Sequence, residues 1–192
     1  MHKLVFATNN AHKLEEVAEK LSGKIELLSL KNIGYFDEID ETGTTFHENA
    51  SIKSHYIWQK YNLNCFGDDS GLEIDSLNGE PGVYSARYAG KHGNHDANMD
   101  KVLEKLKNET NRKARFRTVI SLIWNGEETF FEGTVEGTIR YQRSGSAGFG
   151  YDPIFQPNGY AVTFAEMSMA EKNAISHRAK AVEKLVGFLG GK

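Results

Sequence analysis

The stretch Lys3-Leu4-Val5-Phe6-Ala7-Thr8-Asn9-Asn10-Ala11-His12-Lys13 decides how the chain begins. Residues 3–8 are apolar enough for a strand. Asn9-Asn10 is a turn and cap signal, because Asn side chains bond nearby backbone. Residues 11–22 then place Leu14, Val17, Ala18 and Leu21 at helical spacing, and residues 25–30 read as a second strand. Strand, helix and strand at this length predict a parallel βαβ unit, and so an α/β fold. The handover from strand to helix also carries chemistry. Unpaired N–H groups at a helix start form an anion site, and Lys13 adds a point charge suited to phosphate. The pattern is not a Walker A loop. A plain N-cap with Asn10 as the cap explains the same residues.

Outward from this unit, residues 32–43 form a loop carrying Asp37, Glu38, Asp40 and Glu41. Thr45-Phe46-His47-Glu48 matches a capping box and starts a helix to about residue 61, with Phe46, Ala50, Lys53 and Ile57 roughly on one face. Residues 63–66 read as a strand. Glycines in Phe66-Gly67-Asp68-Asp69-Ser70-Gly71 would let the chain turn at its end, before a further strand marked by Leu72, Ile74 and Leu77. The adjacent carboxylates Asp68 and Asp69 repel one another, and keeping both ionised calls for a cation. A hard divalent metal held through one or two carboxylates is the usual solution. In open α/β sheets, ligands bind beyond the carboxyl ends of strands. Asp40-Glu41, just before the capped helix, could add oxygen ligands for magnesium. A surface turn and a solvated acidic loop remain the competing explanations of the two pairs.

Residues 79–93 read as a loop, and residues 98–107 as a helix with Val102, Leu103 and Leu106 inward. Residues 113–124 and 127–140 flank Asn125-Gly126, a strong hairpin signal. The glycine-rich loop 144–150 leads into Phe149-Gly150-Tyr151-Asp152-Pro153. Two aromatics spaced by glycine can stack on a flat base, and Asp152 can accept hydrogen bonds from a base edge; a core aromatic corner explains them as well. Ser168-Met169-Ala170-Glu171 is another capping box, and Ile175, Val182, Leu185, Val186 and Leu189 give the last helix its apolar face. Ser176 is four residues after Lys172, so one helix face could present both, with Ser176-His177-Arg178 offering donors to phosphate or to a purine keto oxygen. A solvated face is the alternative. Lys113, Arg115 and Arg117 share a strand face that reads as solvated. His92 and His95 lie three apart in a loop, with no third ligand cluster, and read as surface residues. No Gly-x-Ser-x-Gly elbow supports nucleophilic serine chemistry.

A chain of 192 residues has the length of one domain with a substantial core. The single cysteine, Cys65, excludes an internal disulfide framework and a multi-cysteine zinc site, and its apolar setting reads as buried and inert. A formal net charge of −3 argues against a general nucleic-acid binder, yet leaves room for a few lysines and arginines to hold a small anion. No secretory signal and no bilayer-length apolar run is visible, which leads us to expect a soluble cytoplasmic protein with no membrane partner.

The order of the pieces is more specific than any one of them. The series runs Thr8-Asn9-Asn10-Ala11-His12-Lys13, Glu41-Thr42-Gly43 with Glu48-Asn49-Ala50 and Lys53, and Asp68-Asp69-Ser70-Gly71-Leu72. It continues with Pro81-Gly82-Val83-Tyr84-Ser85-Ala86-Arg87-Tyr88, Gly148-Phe149-Gly150-Tyr151-Asp152-Pro153-Ile154-Phe155 and Lys172-Asn173-Ala174-Ile175-Ser176-His177-Arg178. Over nearly its whole length the chain closely resembles the inosine triphosphate pyrophosphatase family, which clears deaminated purine nucleotides. The resemblance implies a single domain over residues 1–192. It implies an elongated mixed sheet flanked by helices, with two lobes around a nucleotide-binding cleft, and a homodimer. It implies cleavage of ITP, dITP and XTP to the monophosphate and pyrophosphate with Mg2+. It places the triphosphate at Thr8, Asn9, Asn10, Ala11, His12 and Lys13 with Lys53. It places the metal at Asp40, Glu41, Asp68 and Asp69, with Asp69 also the general base. Ser70 would touch the nucleotide, and Phe149, Gly150, Tyr151, Asp152, Lys172, His177 and Arg178 would surround the base. Two departures stand out. The family usually has glycine at Asn9, where Asn can keep the turn because it tolerates positive φ. The usual Glu-Glu before Thr-Gly is Asp40-Glu41 here, so either could be the ligand.

Overall fold

Strand β1 (His2–Phe6) pairs in parallel with β2 (Ile25–Leu28) across helix α1 (Ala11–Leu21), the expected βαβ unit, in a computed structural model that describes residues 2–191. Helix α2 (Phe46–Tyr61) follows, then β3 (Cys65–Ile74), α3 (His95–Lys105), β4 (Lys113–Trp124), β5 (Glu127–Ile139), β6 (Phe155–Pro157), α4 (Met169–Ile175) and α5 (His177–Gly190). The strands form one mixed sheet in the order β2-β1-β3-β4-β5-β6, parallel from β2 to β3 and antiparallel between β5 and β6. Asn125 and Gly126 both take positive φ, at 51° and 87°, as a two-residue hairpin turn requires.

The chain divides into two compact units, residues 1–69, 118–133 and 177–192, and residues 70–117 and 134–176. In the first, strand alternation builds two cores. Leu4, Phe6, Phe66, Ile120 and Leu122 pack with Val17 and Leu21 of α1 and Val182 and Leu185 of α5. Val5, Ala7, Cys65 and Ile123 pack with Ile57 of α2. Helices therefore cover both faces of this part of the sheet. The second unit gathers Leu72, Ile74, Val102, Leu106, Phe116, Ile139, Tyr151, Phe155 and Phe164 into its own core. Cys65 is fully buried, its thiol donates to the Ser54 carbonyl at 3.2 Å, and burial pushes it up to about 12, consistent with an inert residue. Among the described residues, no helix is long and apolar enough to cross a membrane.

Five readings are corrected. The expected break after Phe66 does not occur: β3 runs unbroken through both acids, and neither Gly67 nor Gly71 takes a positive φ. Gly67 serves close approach instead, since a Cβ there would lie 2.5 Å from the Ala50 carbonyl oxygen. Leu77 ends a short 3-10 turn (Asp75–Leu77) rather than a strand, and helix α3 starts at His95, capped by Asn94, so His95 is not in a loop. Residues 79–93 contain a 3-10 segment, Gly82–Arg87. Ser176 does not share a helix with Lys172; it takes extended φ and ψ of −66° and 156° and separates α4 from α5.

Candidate active site

Because side chains alternate along a strand, neighbours in β3 point to opposite faces. Asp68 falls on the face of α1 and α5, and Asp69 on the face of α2. The two carboxylates therefore do not confront one another, as the bare sequence suggested, and each acquires its own environment. Asp68 is 1 % exposed; it accepts from Lys13 Nζ at 2.9 Å, lies 3.4 Å from Arg178 Nε, and its backbone carbonyl accepts from Lys53. Burial opposes its charge, but Lys13, Arg178 and Lys53 prevail and hold the carboxyl well below the usual range. Asp69 is 6 % exposed and accepts from Asn49 Nδ2 at 3.0 Å. Burial, aided by the Glu41 carboxylate, outweighs Lys53, Lys13 and Asn49 and pushes it up to about 6. Two adjacent acids with pKa values driven apart are the signature of divided roles in acid–base chemistry.

Thr8 lies just beyond the carboxyl end of β1, whose last residue Phe6 pairs in parallel with Phe66. Thr8 Oγ1 accepts from the Asn10 amide at 3.2 Å, and Asn10 caps α1 by accepting from the Lys13 amide at 3.2 Å. Ala11 and His12 are exposed in the first turn, at the positive end of the helix. Asn9 does not use a positive φ; its side chain donates to the Asp37 carbonyl at 2.8 Å, tying this turn to the acidic loop. On that loop Glu41 reaches Lys53 Nζ at 3.3 Å, while Asp40 is exposed. Lys53, on α2, keeps its proton: burial opposes the charge, but Glu41, Asp68 and Asp69 raise it overall. Lys13 moves down, through burial and the nearby Lys53 and Arg178. Arg178 and His177 open α5 and are buried, with Arg178 paired to Glu16 as well as Asp68. The sequence reading missed Glu16 and Asn49 as partners. The signal for Glu16 was an acid beside the apolar positions Leu14, Val17 and Leu21, where a buried carboxylate needs a cation.

The second unit assembles a different group. Lys172 Nζ donates to Asp152 Oδ2 at 2.7 Å, both nearly fully buried, and stands 4.9 Å over the Phe149 ring. The Phe149 amide donates to the same Asp152 oxygen at 3.0 Å. A side chain at Gly148 would meet that oxygen at 2.1 Å, so the loop needs glycine there. Gly150, in the turn between Phe149 and Tyr151, has φ of 62°. Tyr151 is not a stacking surface: it is buried in the core and its hydroxyl donates to the Ser85 carbonyl at 2.7 Å. Of the two aromatics, Phe149 alone is half-exposed. Ser70, at the start of this unit's share of β3, is also half-exposed.

Around the acid pair stand three cations, Lys13, Lys53 and Arg178, and four carboxylates, Glu16, Glu41, Asp68 and Asp69. Glu41 and Asp69 are the carboxylates suited to hold a divalent cation, since they already sense one another electrostatically. Among the described residues, no group of three His, Cys, Asp or Glu side chains is arranged to hold a metal.

A sheet covered on both faces in the first unit, a helix start beside two lysines, and a buried acid pair in the middle of a strand define an α/β protein with a charged, buried site. A model of the Ham1 family matches residues 4–188. A protein of Porphyromonas gingivalis named dITP/XTP pyrophosphatase is 52 % identical over 190 residues, 98 % of each chain. One of the same name from Flavobacterium johnsoniae is 50 % identical over 187 residues, 97 % of each. Among solved structures, the HAM1 protein of Coxiella burnetii matches with a TM-score of 0.91 at 40 % identity over all of both chains. The Ham1 protein of Staphylococcus aureus matches at 0.88 and 42 % over 98 % of both. The chain belongs to the Ham1 family.

Proposed function

We propose that the protein hydrolyses non-standard purine nucleoside triphosphates (ITP, dITP and XTP) to the monophosphate and pyrophosphate, clearing deaminated nucleotides from the precursor pool. A relative 50 % identical over 97 % of both chains is named dITP/XTP pyrophosphatase. The observation that carries the reading is the divided acid pair: Asp68 is bound to Lys13 and Arg178, and Asp69, on the opposite face of the strand, accepts from Asn49.

Asp69 orients and deprotonates a water that attacks the α-phosphorus; the α-phosphorus–bridging oxygen bond breaks and pyrophosphate departs. Lys13 and Lys53, with the turn Thr8 to His12, hold the phosphate oxygens. Glu41 and Asp69 would hold Mg2+, which supplies neutralisation of charge developing on the phosphates. Asp68 stays ionised to keep Lys13 and Arg178 in place, and Asp40 is an outer acid of the same loop. Phe149, Asp152 and Lys172 read the base: the Lys172 ammonium is only a donor, so it donates to a 6-keto oxygen and opposes an adenine amino group. Homodimerisation and a cytoplasmic location belong to the same reading, through the full-length resemblance; light scattering of the purified protein checks the first.

A panel of nucleoside triphosphates, assayed with magnesium and with EDTA and read out as pyrophosphate, tests the proposal. The expected result is pyrophosphate from ITP, dITP and XTP with magnesium alone. Orthophosphate as the product, or comparable kcat/KM for ATP and ITP, overturns it.

A further inference from the structure

Helix α2 delivers Asn49 and Lys53 to the acid pair, and both bonds depend on its rotation and height. On one side the helix rests against Gly67. On the other it meets the β4–β5 hairpin through a polar hub. Ser54 Oγ and Ser121 Oγ lie 2.6 Å apart, both fully buried. Ser121 donates to Glu128 Oε1 at 2.6 Å and Ser51 donates to the same oxygen at 2.7 Å. His55 Nε2 stands 3.1 Å from Glu128 Oε2. One carboxylate thus gathers Ser51, His55 and, through Ser121, Ser54, which share one face of α2 at spacings of three and four. Near the start of the helix, His47 Nε2 lies 2.7 Å from Glu132 Oε1, with its ring 5.2 Å from that of Phe130.

Apolar packing is non-directional, whereas hydrogen bonds fix angle and distance. A slip of one residue turns a helix by about 100° and moves it about 1.5 Å, which would break every bond of this hub together with those of Asn49 and Lys53. Burial favours a neutral acid at Glu128, yet bonds from Ser121, Ser51 and His55 hold its carboxyl below the ordinary range, so it remains an acceptor. We propose that Glu128 is a positioning residue: it fixes the register of α2 and, through it, the placement of Asn49 and Lys53 against Asp69 and Asp68. The inference deepens the hydrolase reading above, and its kinetic arm rests on that reading.

Glu128→Ala and Glu128→Gln separate the possibilities, because Gln keeps an acceptor oxygen for Ser51 and Ser121. We expect kcat on dITP to fall about tenfold or more in the Ala variant and to be restored in the Gln variant. In an Asn49→Ala background the added cost of Glu128→Ala should shrink, since both act on one contact. An arm independent of activity reads the side-chain amide resonance of Asn49, expected to move in Glu128→Ala and return in Glu128→Gln. If Glu128→Ala does not fold, Ser51→Ala reads the same resonance with a milder loss. An unmoved Asn49 amide in a folded variant overturns the proposal, as do additive kinetic effects in the double variant. A wild-type protein that releases no pyrophosphate from dITP would sink the functional reading instead, and the amide would still decide this one.

Discussion

At the scale of single residues, Asp68 and Asp69 show how covalent neighbours acquire opposite electrostatic environments. Asp69 has a folded pKa near 6, above its ordinary 3.8, so the folded chain binds that proton at higher pH than the unfolded chain does. Its contribution to stability therefore grows as pH falls from about 6 towards 4, and at pH 8 the buried charge costs stability. Asp69→Asn should lose kcat by orders of magnitude while gaining about 5 °C in Tm at pH 8 in EDTA, and the gain should vanish below pH 4. Asp68 has the opposite sign. Its depressed pKa contributes stability above the ordinary carboxylate range, lost only as pH falls through the folded value. Asp68→Asn should lower Tm at pH 8, because it strips a buried partner from Lys13 and Arg178. Thermal melts of both variants across pH check the pair, and equal shifts for the two would refute the division of roles. The sequence displayed both acids but not this division. It depends on knowing that the strand continues through them, and the flanking glycines concealed that.

At the scale of elements, α2 is placed by its cap and by the one residue that lets it approach the sheet. Its capping box is complete, with Thr45 accepting from the Glu48 amide at 3.1 Å and Glu48 accepting from the Thr45 amide at 3.1 Å. Thr45→Ala should cost about 1 kcal/mol in denaturant unfolding, because an orphan amide is left unsatisfied at the helix start. Gly67→Ala should cost more, about 1–3 kcal/mol, and should reduce kcat as well: its Cβ would fall 2.5 Å from the Ala50 carbonyl oxygen and 2.9 Å from Lys53 Cβ, pushing away the turn that carries the lysine. A Gly67→Ala variant with wild-type kcat would show that α2 can shift without disturbing the site. The capping boxes at Thr45 and Ser168, the Asn10 cap and the Asn125-Gly126 hairpin were all legible, because each is a local bond between residues close in sequence. The ends of β3 and α4 were not. Gly67 looks like a local turn signal but is needed for close approach to α2, and Ser176 sits at helical spacing from Lys172 yet takes extended φ and ψ between α4 and α5.

At the scale of the whole molecule, the two compact units carry different chemistries, and that difference predicts how substitutions should sort. The first unit holds the lysines and carboxylates suited to phosphates, which are the same on every nucleoside triphosphate. The second holds the Lys172 ammonium, paired with Asp152 and over the Phe149 ring, the group we propose for the base edge. Lys13→Met should therefore lower kcat/KM for dITP, XTP and dATP by similar factors, since a phosphate contact cannot tell one base from another. Lys172→Met should change the ratio of dITP to dATP by about tenfold or more, because it removes a donor that favours a keto oxygen over an amino group. Lys172→Met also leaves Asp152 with the Phe149 amide but without its cation, and part of the protein could be lost to unfolding. The ratio of two substrates on one preparation is independent of the folded fraction, so it isolates recognition from stability. Ratios that stay fixed in Lys172→Met but shift in Lys13→Met would reverse the assignment, placing base recognition among the charges around Asp68 and leaving the second unit as scaffold.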